Sequence, residues 1–312
     1  MVKTAFLFPG QGSQVVGMGR ALAEAFPEAR AVFDAADDAL GERLSRLCFE
    51  GPETELVLTR NAQPAILTVS IAAHAVWSAR AEPAAFVAGH SLGEYSALVA
   101  VGALSLADAV RTVRARGIFM QEATPPGTGA MAAVLGLEPE VVARICEEAA
   151  ETEVVSPANY NSPEQTVIAG HATAVERASV KLKEAGAKRV LPLAVSAPFH
   201  TALMEPAKPR LAEVLARCTV SAPRVPVVTN VEAVPNADRG RVVPLLLAQV
   251  SSPVRWMESV RCLSVAGVTR VVELGAGRVL GGLVKRTSKE MEVLNMEDPA
   301  SLEKSLAAAV RS

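Results

Sequence analysis

The segment Gly89-His90-Ser91-Leu92-Gly93 has the pattern Gly-x-Ser-x-Gly, which is typical of a serine held on a tight turn. The apolar run 84–88 before it has the length of a buried strand, and the residues after it, to about Val101, have a helical pattern. Glycines on such a turn avoid clashes that a Cβ would cause, and the first N–H groups of the helix can stabilise a negatively charged oxygen. The pattern therefore predicts that Ser91 is a nucleophile, with an ordinary serine in a glycine-bounded turn as the alternative.

A serine hydroxyl needs a base to become a nucleophile, and the chain offers four histidines. His74 lies within an apolar helical stretch, which favours a packing role. His90 is adjacent to Ser91, so its side chain is expected to point away, and His171 is expected in an exposed turn. His200 lies where the chain returns from a predicted small domain to a larger one, and clefts form at such junctions. His200 is therefore the candidate base.

Two other glycine-rich segments resemble nucleotide-binding loops only in part. Gly10-Gln11-Gly12 has the first two glycines of Gly-x-Gly-x-x-Gly, but Val15 occupies the third position. The run 275–277 fails the same comparison at Leu280. The sequence contains neither a phosphate-binding Gly-Lys-Ser/Thr nor a His-Glu-x-x-His zinc motif. A dinucleotide, nucleoside triphosphate or metalloprotease site is therefore not expected.

Composition excludes several further classes. The 312 residues carry a net charge of −2 and only 4% aromatic residues, which gives no basic surface or stacking platform for nucleic acid. Half of the residues are hydrophobic, enough for a sizeable core, but no segment has the roughly 20 apolar residues of a membrane span. The four cysteines form no Cys-x-x-Cys pair, so we expect no metal, buried free thiols and a cytoplasmic location.

The elements that must position Ser91 and His200 alternate between strand and helix, which indicates a parallel sheet covered by helices. Asn61 is placed to cap a long helix to about residue 80, and Ser105 begins a capping box for a helix to about Glu122. Further strands are predicted at 4–9, 225–229 and 270–273, and further helices near 19–26, 29–40, 201–217, 242–249, 254–265 and 278–285.

The middle of the chain has a different organisation. Residues 124–129 have the composition of a linker. After them the pattern predicts strands at 130–135, 154–158, 165–169 and 188–195, and helices at 139–150 and 173–185. This βαββαβ order is that of a ferredoxin-like unit. We therefore expect an α/β protein with a large domain over 1–126 and 198–312 and a small domain inserted over 127–197.

Several motifs, in register along essentially the whole chain, are similar to those of the malonyl-CoA:acyl carrier protein transacylases of bacterial fatty-acid synthesis. They are Phe8-Pro9-Gly10-Gln11-Gly12-Ser13-Gln14, Gly89-His90-Ser91-Leu92-Gly93-Glu94-Tyr95-Ser96-Ala97-Leu98, Asn161-Ser162-Pro163, Gly170-His171, Pro198-Phe199-His200 and Ser252-Pro253-Val254-Arg255-Trp256. The resemblance implies a hydrolase-like large domain with a parallel sheet and an inserted ferredoxin-like domain. It also implies malonyl-CoA and acyl carrier protein as partners, and no cofactor.

The resemblance assigns roles to individual positions. Ser91 would carry the malonyl group and His200 would act as general base and then general acid. The histidine would be oriented by a backbone carbonyl, at the position of Gln249, which explains why no carboxylate partner stands out. The backbone N–H groups of Gln11 and Leu92 would form the oxyanion hole.

The resemblance also implies how the acyl group is recognised. Helix periodicity places Arg114 and Arg116 on opposite sides of one face and cannot choose between them. The resemblance assigns Arg116 to the malonyl carboxylate, which a guanidinium can bind through two parallel hydrogen bonds. Phe199 would exclude a branched acyl group, and His90 and Asn161 would support the catalytic pair from behind.

Two positions depart from the family pattern, and several alternatives stay open. Ala276 replaces a common proline without an evident catalytic consequence, and Pro198 is one of several variants, which leaves acyl selectivity less defined than reaction type. A serine hydrolase or thioesterase, an acyltransferase serving a polyketide synthase, and an inactive carrier-docking module are the alternatives. Basic residues that could dock an acidic carrier are Lys181, Lys183, Lys188, Arg189, Lys285, Arg286 and Lys289.

Overall fold

The computed structural model describes residues 2–195 and 197–310, which form two β-sheets with helices around them. The strands of these residues are β1 (Thr4–Phe8), β2 (Phe86–Gly89), β3 (Gly129–Leu135), β4 (Val155–Ser162), β5 (Gln165–His171), β6 (Arg189–Pro192), β7 (Val227–Val228), β8 (Pro235–Asn236), β9 (Arg270–Leu274) and β10 (Glu292–Met296). Residue 1, residue 196 and residues 311–312 of the expected domains lie outside this description.

Helices connect most of the strands. They are α1 (Arg20–Ala25), α2 (Pro27–Leu40), α3 (Leu44–Glu50), α4 (Glu53–Leu56), α5 (Thr59–Ser78), α6 (Gly93–Ala100), α7 (Leu106–Glu122), α8 (Pro139–Ala150), α9 (Ala172–Glu184), α10 (Ala207–Leu215), α11 (Arg239–Gln249), α12 (Trp256–Val265), α13 (Val279–Thr287) and α14 (Pro299–Val310), with a 3₁₀ turn at Ala202–Met204. None of the helices within the described ranges is both long and apolar enough to cross a membrane.

The larger sheet has the strand order β10-β9-β1-β2-β7-β8. All neighbouring pairs are parallel except β7 and β8. The central strands are mostly apolar and almost entirely buried, as expected where helices cover both faces of a parallel sheet. Every residue of β9 is buried, and α5, which packs near it, is buried over most of its length. This sheet places the carboxyl ends of β1 and β2 side by side.

The smaller sheet is antiparallel and has the order β4-β5-β3-β6. Helices α8 and α9 cover one face, where Val142, Ile168 and Leu182 belong to a separate apolar cluster. The order along the chain and the order in the sheet are those of a ferredoxin-like unit. The predicted α/β class, with a parallel sheet and a second small sheet, is confirmed.

The two sheets are joined by backbone hydrogen bonds. Val254, just before α12, forms an isolated parallel bridge with Asn159 of β4. The Val254 N–H donates to Ala158 O at 2.9 Å, and the Tyr160 N–H donates to Val254 O at 2.9 Å. The edge strand of the small sheet is therefore paired to a segment of the large-sheet half of the chain.

Of the two predicted helix N-terminal caps, that at Ser105 is confirmed and that at Asn61 is wrong. The Ser105 hydroxyl accepts a hydrogen bond from the Asp108 N–H at 3.0 Å, which confirms the cap of α7. The expectation for Asn61 is wrong, because α5 begins earlier, at Thr59, and Leu58 is its N-terminal cap. Asn61 lies inside the helix, and its amide donates back to Glu55 O at 2.8 Å.

The predicted elements differ from the observed ones at several places along the chain. The helix expected over 201–217 is confirmed only from Ala207 to Leu215, because its first part forms a 3₁₀ turn and Pro206 separates that turn from α10. The sequence analysis missed α3, α4, β8, β10 and α14. His171, expected in an exposed turn, ends β5 and is half-buried, and its Nδ1 accepts from the Val154 N–H at 2.9 Å.

Candidate active site

Ser91 lies on the sharp turn between β2 and α6. Its φ of 51° lies in the left-handed region, which residues other than glycine rarely adopt. The flanking glycines are required by close packing: a Cβ on Gly89 would lie 1.9 Å from the Gly93 carbonyl carbon, and a Cβ on Gly93 would lie 2.0 Å from Phe8 O. The turn is therefore packed against the end of β1, and the glycines avoid Cβ clashes as the Gly-x-Ser-x-Gly pattern predicted.

His200 reaches this turn from the far end of the small-sheet insertion. Its Nε2 lies 2.7 Å from Ser91 Oγ, and its Nδ1 lies 2.9 Å from the backbone oxygen of Gln249. A carbonyl oxygen can only accept a hydrogen bond, so Nδ1 carries the proton and Nε2 is free to accept from the serine hydroxyl. The two groups that the sequence analysis placed together are in direct contact.

The surroundings keep the His200 ring neutral. Burial, and secondly the positive charge of Arg116, lower the pKa of His200 to about 3. The hydrogen bond to the Gln249 carbonyl acts in the opposite direction. At neutral pH the ring is therefore an uncharged imidazole, the form that can accept a proton.

Arg116 is a buried cation beside the nucleophile, with a relative exposure of 2%. Its Nη2 donates to Ser91 Oγ at 3.2 Å and to Gln249 Oε1 at 2.9 Å, and its Nη1 donates to Gln63 Oε1 at 2.8 Å. Its Nε has no hydrogen-bond partner among the described residues. The Tyr95 ring lies 5.5 Å from its Cζ, and the charge of Glu94 acts on it, but its hydrogen bonds go only to neutral oxygens among the described residues. Such a guanidinium is suited to an incoming anion.

Arg114, which periodicity could not distinguish from Arg116, lies outside the site. Its guanidinium forms an ion pair with Glu42 of the segment that follows α2. Arg116 is buried, and this burial lowers its pKa. Arg114 instead pairs with the carboxylate of Glu42. The difference arises from the packing of α7 against α5 and α2, which helical periodicity alone does not contain.

A polar network that the sequence analysis missed holds the turn from beneath. The Ser91 N–H donates to Asn230 Oδ1 at 2.7 Å, and Asn230 Nδ2 donates to Gly89 O at 2.6 Å. The Asn230 N–H and Gln249 Nε2 both donate to Glu94 Oε2, at 3.1 and 2.7 Å. Glu94 could have been identified from the sequence because it directly follows the serine motif, whereas no motif marks Asn230 as a site residue.

Two backbone N–H groups near the serine are unoccupied. Neither the Gln11 N–H, after β1, nor the Leu92 N–H, at the start of α6, donates a hydrogen bond within residues 2–195 and 197–310. The Gln11 side chain is held by Thr59 Oγ1 at 3.2 Å. Such donors at a helix start and a tight loop can stabilise an oxyanion.

These groups surround a cavity of about 460 Å³ between the two sheets. It is lined by Gln11, Gly12, Gln14, Val57, Gln63, His90, Ser91, Arg116, Met120, Met131, Asn159, Leu193, Ala194, Val195, Phe199 and His200. His90 Nε2 lies 2.9 Å from Asn161 Oδ1, which ties the serine turn to β4. Burial lowers the pKa of His90. Phe199 is buried and lines the same cavity as Ser91 and His200.

A second cleft, of about 630 Å³, adjoins the first at Gln11, Gly12 and His90. It runs between the face of the small sheet and α13. Arg278 and Arg286 line it and are its only charged residues in the part of the chain described. This cleft could therefore admit a long, negatively charged substrate arm to the serine.

Comparison with known proteins gives consistent matches over the whole chain. The acyl transferase domain model matches residues 5–305. The malonyl CoA-acyl carrier protein transacylase of Bacillus subtilis (strain 168) is 50% identical over 304 residues, which are 97% of this chain and 96% of that protein. The protein of the same name from Escherichia coli (strain K12) is 50% identical over 303 residues, 97% of this chain and 98% of that one.

Solved structures agree with this result. The acyl carrier protein S-malonyltransferase of Vibrio cholerae has a TM-score of 0.95 and 49% identity, covering 97% of this chain and 99% of that one. A malonyl-transacylase in complex with its type II polyketide synthase acyl carrier protein has a TM-score of 0.95 and 46% identity, covering 98% and 99%.

Proposed function

The chain belongs to the acyl transferase family and, within it, to the malonyl CoA-acyl carrier protein transacylases, and on this premise we propose that it transfers malonyl groups from coenzyme A to acyl carrier protein through an ester on Ser91. The observation that carries the proposal is the position of Ser91 Oγ, 2.7 Å from a neutral imidazole and 3.2 Å from a buried guanidinium. The first group activates the serine, and the second selects an acyl chain that ends in a carboxylate.

The first half-reaction forms the ester. His200 Nε2 takes the Ser91 proton as Oγ attacks the malonyl thioester carbon. The oxyanion is stabilised by the Gln11 and Leu92 N–H groups, each worth about 3–4 kcal/mol in comparable sites. The C–S bond then breaks, His200 returns the proton to the departing coenzyme A thiolate, and malonyl-Ser91 remains.

Arg116 binds the malonyl carboxylate during both half-reactions. Gln63 and Gln249 hold its two Nη atoms from behind, which fixes the plane of the guanidinium. Because the charge of Arg116 lowers the pKa of His200, a carboxylate paired with Arg116 offsets that effect. Substrate binding therefore makes His200 a stronger base at the moment when it is needed.

In the second half-reaction the phosphopantetheine thiol of the carrier protein takes the malonyl group. His200 accepts the thiol proton, the thiolate attacks the ester carbon, and Ser91 leaves with that proton. The arginine-lined cleft provides the approach, since Arg278 pairs with Glu297 at 3.0 Å, while the Arg286 guanidinium donates to the neutral Gln165 at 3.2 Å and forms no ion pair with any described residue. Arg286 belongs to the basic set that we propose as a docking surface for an acidic carrier.

Further assignments belong to the same proposal. Phe199 restricts the width of the acyl pocket, and His90 with Asn161 fixes the turn to the small sheet. Residues 127–197 form an inserted domain between 1–126 and 198–312, as the separate sheet over β3–β6 supports. We place the protein in the cytoplasm, where it would supply malonyl groups for fatty-acid synthesis.

Two alternatives are separated by particular observations. A hydrolase or thioesterase with the same serine turn has no use for a buried cation at the acyl pocket, which disfavours that reading. An acyltransferase serving a polyketide synthase has identical chemistry, and the similarity to the transacylase bound to a type II polyketide carrier keeps it as the second candidate. The two differ only in the carrier protein.

Mass spectrometry of the intact protein tests the proposal directly. Incubation with malonyl-CoA alone should add one malonyl group per chain, on Ser91, and release one equivalent of coenzyme A. Addition of acyl carrier protein should then remove the malonyl group and restart turnover. A Ser91→Ala variant that acquires the same adduct, or steady coenzyme A release without carrier, would contradict the proposed transferase.

A further inference from the structure

Glu94 is a buried carboxylate that the reaction described above does not use. It is 3% exposed, in the first turn of α6, three residues after the nucleophile. Its Oε2 accepts from Gln249 Nε2 at 2.7 Å and from the Asn230 N–H at 3.1 Å. Buried carboxylates are costly unless their interactions compensate, so its place between these two groups calls for a physical reason.

The Gln249 amide has a defined direction in this network. Its Nε2 end faces three acceptors, Glu94 Oε2, Ser91 O and, at 3.4 Å, Asn230 Oδ1. Its Oε1 end faces Arg116 Nη2. The reversed amide would place an oxygen against the carboxylate and an NH₂ group against the guanidinium, so both ends would lose their hydrogen bonds.

We propose that Glu94 is a positioning residue for acyl selectivity, which fixes the Gln249 amide so that Oε1 aims Arg116 at the substrate carboxylate. Of these three acceptors, the Glu94 carboxylate forms the shortest hydrogen bond with Gln249 Nε2, and it is the only one of the three that carries a charge. Glu94 itself does not touch the substrate. The inference rests on the proposed function, because it concerns the group that Arg116 binds there.

The direction of the effect follows from the two kinds of substrate. A malonyl donor needs the aimed guanidinium, whereas an acetyl donor, which lacks the distal carboxylate, needs only Ser91, His200 and the oxyanion hole. Loss of Glu94 should therefore lower kcat/KM for malonyl-CoA much more than for acetyl-CoA. A residue that only supported the fold would lower both values together.

The experiment compares Glu94→Leu and Glu94→Gln with the wild type. Glu94→Leu removes both acceptor contacts and should lower the malonyl-to-acetyl ratio of kcat/KM at least tenfold. Glu94→Gln retains an acceptor oxygen for Gln249 Nε2 and should restore the ratio to within about threefold of the wild type. A ratio within twofold of the wild type in a folded Glu94→Leu variant would overturn the inference.

Glu273 provides a matched control. It is also a fully buried glutamate with a pKa raised by burial to about 7, but it caps α13 through the Leu280 and Gly281 N–H groups. Glu273→Gln removes a buried charge without touching Arg116 or Gln249. It should leave the malonyl-to-acetyl ratio unchanged. A fall in this ratio as large as that of Glu94→Leu would overturn the specific role of Glu94.

A pH series keeps the inference testable if Glu94→Leu does not fold. Burial raises the pKa of Glu94 to about 7, against the hydrogen bonds from Gln249 and Asn230 and the charge of Arg116. Arg116 and Tyr95 are the charged and titratable groups that act on it, and burial raises the pKa of Tyr95 to about 12. The wild-type malonyl-to-acetyl ratio should therefore fall as the pH drops below 7, by up to the threefold difference expected for Glu94→Gln, because protonated Glu94 is likewise an uncharged acceptor.

The titration of His200 affects both substrates and cancels in this ratio. In Glu94→Gln the ratio should be independent of pH between 5.5 and 8.5. A wild-type ratio that is flat over that range would overturn the inference. A wild-type protein that forms no malonyl-serine at all would instead contradict the proposed function, so the two failures are distinguishable.

Discussion

Arg116 Nη2 and Ser91 Oγ lie 3.2 Å apart, so the buried cation and the proposed nucleophile share one hydrogen bond. The contact links recognition to chemistry, because a carboxylate bound by Arg116 places the acyl carbonyl beside Ser91. It also makes the guanidinium part of the electrostatic environment of the neighbouring His200.

Arg116→Ala should reduce kcat/KM for malonyl-CoA about a hundredfold or more, since two charge-assisted hydrogen bonds are worth roughly 1.5–3 kcal/mol each. The value for acetyl-CoA should change far less. Arg114→Ala, on the same helix but paired with Glu42 outside the site, is the matched control and should leave both values close to wild type. Equal losses for malonyl-CoA and acetyl-CoA in Arg116→Ala would remove its assigned role.

Gly93→Ala should prevent correct folding or remove activity, because the new Cβ would lie 2.0 Å from Phe8 O and force β1 from the turn. We expect a loss of roughly 4 kcal/mol or more in the free energy of unfolding, measured by chemical denaturation. Gly282→Ala, within α13 and with no atom within 4 Å of the added Cβ, is the control. That variant should be stabilised by roughly 0.5–1 kcal/mol, and a stable, active Gly93→Ala would refute the packing argument.

His200 should make the protein sensitive to acid. Its pKa is about 3 in the folded state and 6.5 in an unfolded chain, so between these values the unfolded state binds the extra proton. The contribution of the neutral His200 ring to the free energy of unfolding is therefore fully present above pH 6.5 and is lost progressively as the pH falls toward 3. Relative to wild type, His200→Asn should gain roughly 1 kcal/mol per pH unit between pH 6 and 4. Parallel stability curves for the two proteins would show that the ring is not held neutral.

Phe199→Ala should relax the acyl selectivity. Phe199 is buried and lines the cavity beside the catalytic pair. Removal of the ring should raise the methylmalonyl-to-malonyl ratio of kcat/KM about tenfold, the effect of one methyl group in an apolar pocket. Competition between methylmalonyl-CoA and malonyl-CoA measures it directly. An unchanged ratio would place the selectivity in another residue, for which Met120, in the same cavity, is the next candidate to replace.

The serine turn and its fold context could be predicted because the determinants are local. Gly89 and Gly93, an apolar run and a helical run are all adjacent in sequence, and the structure brings them together as that order requires. The βαββαβ order of the insertion was equally readable, since each of its elements has its own apolar pattern. His200 needed the additional idea that chain junctions form clefts.

The remaining parts depend on contacts between distant segments. Asn230 and Glu94 meet only because a loop after β7 folds under α6, and no spacing in the sequence encodes that approach. Periodicity alone could not separate Arg116 from Arg114, because the helices packed on α7 decide which side is buried. The position of Asn61 was misread since a polar side chain inside a helix start resembles a cap.

The bridge at Val254 affects the tendency of the protein to aggregate at high concentration. An open strand edge can template addition of a strand from another molecule, the first step of many aggregates. Here the outer edge of β4 is occupied by the chain's own Val254, through the Ala158 and Tyr160 hydrogen bonds. The pairing around Val254 thus occupies the middle of one edge of the small sheet, where a strand from another molecule would otherwise attach.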